Sequence, residues 1–154
     1  MSVTSAKDPV AAVVDILENE AASAWPSNTA PDRIERAEAS DPSQKEGDQR
    51  RSQVSLYVQN LADGDLRKQH AGGGLDERYT VEIQVWTGNS SDTDAYYRAI
   101  IEDIMPAYYT DNANLTSFYE IAPESSADAR AGSFSATGFA IETARVRLWG
   151  FRDV

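Results

Sequence analysis

Tyr79-Thr80-Val81-Glu82-Ile83-Gln84-Val85-Trp86 alternates aliphatic with polar or aromatic residues, and Ala144-Arg145-Val146-Arg147-Leu148-Trp149-Gly150-Phe151 repeats that alternation near the carboxyl terminus. A period of two is the signature of a β-strand with one face on a core, so Val81, Ile83, Val85, Val146 and Leu148 are expected to point inward. The opposite faces carry Glu82, Gln84 and Trp86 on the first strand and Arg145, Arg147, Trp149 and Phe151 on the second. That mixture of charge and large aromatics suits a protein–protein contact.

Helical signals flank these strands. From Asp92 to Met105, Tyr97, Ile100, Ile101 and Ile104 make an apolar stripe, Ser91 or Asp92 is placed to cap, Asp94 suits the positive end of the dipole, and Pro106 is expected to stop the helix. An earlier helix is expected from Pro9 to Ala22, capped by Asp8, with Val10, Val13, Val14, Leu17 and Ala21 on one face. Trp25-Pro26 ends it, because the residue before proline avoids helical angles.

Residues 27–51 are rich in Pro, Ser, Asp, Glu and Gln with Ile34 as the large apolar anchor, so they read as an extended flexible arm with a short strand near Ile34 to Ala39. Gln53 to Gln59 is a further strand, with Val54, Leu56 and Val58 on one face and Tyr57 on the other. Residues 60–78 are expected to be a long acidic loop, bearing Asp63, Asp65, Asp76 and Glu77 around His70 and Gly72-Gly73-Gly74. Thr116 to Ile121 reads as a strand, 122–135 as a loop, and Thr137 to Phe151 as a closing strand or strand pair. The expected class is a single α+β domain over 1–154, a mostly antiparallel sheet with two helices packed on one face.

Composition narrows the function classes. Asp and Glu number 25 against 14 Lys and Arg, a net charge of −11, and the lysines are Lys7, Lys45 and Lys68 alone. Such a balance favours solubility and repels free nucleic acid. Cysteine is absent, which removes disulfides and thiolate metal sites. Met1 to Ala6 is short and polar rather than a secretory signal, and no apolar run approaches the roughly 18 residues of a membrane span. No membrane role is expected.

The same sequence offers no strong catalytic constellation. His70 is the single histidine and stands in a glycine-rich stretch without a hydrolase-like Ser or Cys beside it. Asp63 and Asp65 lack the rest of an EF-hand loop, and Gly72 to Gly74 lack the Lys-Ser/Thr pair of a phosphate cradle. Asp92, Asp94, Glu102 and Asp103 read as a cap and a solvated helix face. The expectation is a protein without catalytic residues, metal or cofactor. A small enzyme would have to assemble Asp63, Asp65, His70 and Asp76, and divalent-metal calorimetry discriminates that case.

Tyr57, Glu82, Trp86, Arg145, Arg147, Trp149 and Phe151 are therefore the candidate subunit-interface residues. The competing reading covers the aromatics with the arm from the same chain. The interface is preferred because Glu82, Arg145 and Arg147 would be costly to desolvate in an internal layer.

The size and order of elements, carried by Val54-Ser-Leu-Tyr-Val58, Tyr79 to Trp86 and Asp94-Ala-Tyr-Tyr-Arg-Ala-Ile-Ile101, resemble the tail terminator family of long-tailed viruses. The acid excess with scarce lysine resembles the proteins of salt-loving archaea and their viruses. Together the resemblances imply a structural virion protein of a haloarchaeal tailed virus: a ring of six copies at the neck–tail junction, assembled in the host cytoplasm, ending tube growth and joining the tail to the neck. The implied partners are other copies of the chain, the tail-tube protein, a neck or connector protein, and DNA passing through the channel without specific binding. Asp63, Asp65, Asp76 and Glu77 are the candidate lumen or partner loop. A head–tail connector or stopper shares this layout, and a small acidic binding module is the remaining alternative.

Overall fold

The computed structural model describes residues 8–37, 47, 49–61, 65–68, 75–109, 118, 120–123, 131–135 and 137–152. Helix α1 spans Pro9–Glu18. The Asp8 carboxylate accepts the Ala11 N–H at 3.0 Å, and Pro9 occupies the first helical turn, where its missing donor is not needed. Asn19 ends the helix earlier than expected. Both its backbone N–H and its side-chain amide donate to the Asp15 carbonyl, satisfying the last turn. Two 3₁₀ turns follow, Ala22–Ala24 and Pro26–Asn28, with Trp25 buried between them and stacked on Tyr96 at 5.9 Å.

The strands are β1 (Arg33–Arg36), β2 (Ser55–Asn60), β3 (Asp65–Lys68), β4 (Leu75–Thr87), β5 (Glu120–Pro123), β6 (Ala131–Phe134) and β7 (Ala140–Arg152). They form one sheet in the order β1-β2-β4-β7-β5, with β3 paired to β4 and β6 to β7. Among the described residues the β1–β2 pair is parallel and every other pair antiparallel, so the α+β class holds with a mixed, mostly antiparallel sheet. Its axis is the pair β4–β7, in register from Leu75↔Arg152 to Thr87↔Ala140. Two stretches expected to be loops carry strands. Residues 60–78 contain β3 and the start of β4, and 122–135 contain β6, because pairing to a long neighbouring strand organises short segments that have no clear alternation of their own.

Helix α2 spans Ser90–Arg98, and the chain continues through a π-helical segment, Ala99–Ile104, into the short helix α3, Pro106–Tyr109. The cap is Asn89, not Ser91 or Asp92. Its side chain accepts the Asp92 N–H at 2.8 Å and returns an amide donor to the Asp92 carboxylate at 2.8 Å. The Met105 N–H reaches the Ile100 carbonyl at 2.9 Å, a five-residue step that re-phases the stripe so that Ile100, Ile104 and Met105 all face the sheet while Ile101 is half-buried. Pro106 opens α3 rather than ending the helical run, the position a helix tolerates in proline.

α1, α2 and the π-helical segment lie on the same face of the sheet, where Val13, Leu17, Ile100 and Ile104 meet Leu56, Val58, Val81, Ile83, Val85, Val146 and Leu148 in one core. No described helix is long and apolar enough to cross a membrane.

Candidate interaction face

The same alternation that buries Val81, Ile83 and Val85 turns Glu82, Gln84 and Trp86 to the other side, and the β4–β7 register sets Glu82 opposite Arg145, Thr80 opposite Arg147 and Arg78 opposite Trp149. Three zones follow along this second face. They differ in how they are covered.

At one end Tyr57 and Trp86 meet edge to face, ring centroids 5.8 Å apart, and with Phe139 form a second small core flanked by Ala37 and Ile141. Trp86 is 3% exposed and Tyr57 4%, so these two interface candidates are buried within their own subunit. Burial pushes the Tyr57 phenol above its ordinary range, although the neighbouring Ser55 and the Arg33 guanidinium pull the other way. The end of the expected arm closes this core. The buried Gln49 amide donates to the Gln53 carbonyl at 2.9 Å and approaches the Trp86 carbonyl at 3.4 Å. Arg51 donates to the Thr137 carbonyl at 3.0 Å, and its guanidinium lies 5.2 Å from the centroid of the Phe139 ring. Gly88 is required here, since a Cβ would stand 2.6 Å from the Arg51 carbonyl oxygen.

The middle zone is polar. Glu82 is buried, accepting the side-chain amides of Gln59 and Gln84 at 2.8 Å each, with the Arg145 guanidinium 3.7 Å away. Gln84 in turn accepts the Trp86 indole N–H at 3.0 Å. A carboxylate carrying two donors and a cation has its desolvation largely offset, which is how a charge persists in this position.

At the far end the face opens. Arg145, Arg147 and Trp149 are half-buried, as is Arg78. Phe151 stands opposite Asp76 in the register, Glu77 opposite Gly150, and Asp65 opposite Arg78. Asp63, His70 and Gly72 to Gly74 lie outside the described residues. Among the described residues no group of three or more His, Cys, Asp or Glu is placed to hold a metal ion. The sequence reading missed Gln49, Arg51 and Phe139. Phe139 adjoins the last apolar run, but nothing local marks Gln49 or Arg51, which matter through partners up to 86 residues away in the chain.

Compared with known proteins, the chain matches no protein-family model and no curated protein.

Proposed function

We propose that this chain is a self-associating structural protein of a virion, of the tail-terminator kind, whose copies form a ring, six by the resemblance, at the head-proximal end of a tail tube. The ring ends tube growth and joins tail to neck in a virus of a salt-loving archaeon. One observation carries the self-association: helices cover one face of the sheet, while the other keeps Arg145, Arg147 and Trp149 half-open at one end. Partly exposed Trp and Arg on a rigid strand pair are the side chains that anchor protein interfaces. The order of elements supports the tail-terminator identity. The net charge of −11 supports a channel that repels the DNA backbone and lets it slide.

The test is assembly. The purified chain, alone in molar salt and mixed with a tail-tube protein, is examined by negative-stain electron microscopy and sedimentation. Rings in either condition support the reading, and monomers in both overturn it.

A further inference from the structure

Among the described residues β1, β3, β5 and β6 are each paired on one side only. Such edges present unpaired backbone groups that invite another strand, and folded proteins blunt them with charge or proline. β1 carries Arg33, Glu35 and Arg36, and β3 carries Asp65, Arg67 and Lys68. β5 begins at Glu120 and ends at Pro123. β6, Ala131-Gly132-Ser133-Phe134, has neither device. Its Phe134 is 69% exposed, and Gly132 and Ser133 are exposed beside it.

The turn after β6 sets the phase of this edge. The Ser135 N–H donates to the Phe139 carbonyl at 2.9 Å, so in the alternation of an antiparallel ladder Ser133 faces Ile141 with its N–H and C=O, while Gly132 and Phe134 turn theirs outward. Gly132 and Phe134 also share one face of the sheet, opposite Glu142 and Ala140. That face is bare at Gly132, where a Cβ would stand 2.9 Å from the Glu142 Oε2.

We propose that β6 pairs antiparallel with β6 of a second copy of this chain, with Ser133 on the two-fold axis and Gly132 opposite Phe134 of the partner subunit. Self-complementarity selects the occupant. In this register the outward N–H and C=O groups of the two strands meet, and each exposed Phe134 ring lies over the bare glycine across from it, as an aromatic shields an edge glycine. The other edges that a second copy offers are charged or end in proline, so β6 best fits itself. The contact is isologous and closes at two copies, so it goes beyond the proposed ring, whose contacts are heterologous. Its few residues fall well short of a standard interface, which makes the dimer weak and dependent on protein concentration.

The test uses the full chain at rising concentration in about 0.15 M salt, where a Debye length of about 8 Å screens part of the repulsion between copies of net charge −11. Sedimentation equilibrium should show a dimer. Ser133→Lys should weaken it about tenfold or more, because two positive charges then meet on the axis even though the net negative charge falls. Ser133→Asp should weaken it as well, and an equimolar mixture of the two variants should restore it, because Ser133 of one copy faces Ser133 of the other. Ser133 is exposed at an edge, so both variants fold, as circular dichroism checks. Phe134→Ala, equally exposed, should also weaken the dimer. The chain has no cysteine, so Ser133→Cys introduces a sole thiol and should cross-link under mild oxidation faster than Ser91→Cys on α2. A dimer unchanged by Ser133→Lys or not restored by the mixture, cross-linking no faster than in Ser91→Cys, or monomers at every concentration would overturn the β6 pairing and leave the ring reading to its own test. A dimer without rings would overturn the ring reading alone.

Discussion

The two faces of this sheet are made by alternate residues of the same strands, yet they are buried by different means. On the helix side Leu56, Val58, Val81, Ile83, Val85, Val146 and Leu148 are fully buried under α1 and the α2 to Met105 run. On the other side Tyr57 and Trp86 are buried by a few residues brought from elsewhere in the chain, Glu82 by a polar network, and Arg147 and Trp149 only in part. A continuous layer makes every inward position a core position. A patchwork cover makes the role of each residue depend on where along the strand it falls.

The strongest way to break that comparison is to truncate the helix-side core. Ile83→Ala or Ile100→Ala should cost about 2–5 kcal/mol, the usual range for a fully buried aliphatic, and Ile101→Ala clearly less because Ile101 is half-buried. Thermal unfolding by circular dichroism reads all three. Equal losses at Ile100 and Ile101 would show that the π-helical step does not set the phase of the stripe.

The next effect separates the two ends of the second face. Trp86→Ala should lower folding stability by about 3 kcal/mol, toward the lower end for a buried aromatic because a core of three large rings can partly collapse. Trp149→Ala should cost about 1 kcal/mol or less in folding but about 2 kcal/mol in association. Denaturant titration beside sedimentation measures both quantities. A Trp149 variant that loses its fold would move that residue into a core.

Capping gives a smaller effect. Asn89→Ala removes the acceptor for the Asp92 N–H and should cost about 1 kcal/mol in urea unfolding, whereas Ser91→Ala, at the position first expected to cap, should change little.

The smallest expected effect is a pH dependence at Asp8. Burial alone would raise its pKa, but the Arg36 hydrogen bond, the Ala11 N–H and the Arg36 charge outweigh that, and the net shift is downward. A carboxyl depressed in the folded state adds stability that is complete above its unfolded value near pH 4 and is lost as pH falls through the lower folded value. Wild type should therefore lose more stability than Asp8→Ala as pH drops below about 4. The difference should be slight, because both partners are about half-exposed and screened by solvent. Parallel acid profiles for the two proteins would remove Asp8 from the acid response.

Much of this was readable in the chain because it is local. Alternation at Val81, Ile83, Val85, Val146 and Leu148 decides which way each strand faces, the Asp8-Pro9 start decides where α1 begins, and the order of helical and strand signals decides an α+β fold. Pairing and cover came from elsewhere. That Leu75 already belongs to β4, that β3 and β6 complete the sheet, and that Gln49, Arg51 and Phe139 close a second core over Trp86 depend on residues far apart in sequence. The alternation fixes that a side chain has a second face to occupy; only the folded chain decides what lies on top of it, because that cover is assembled from segments whose own sequences carry no sign of where they will dock.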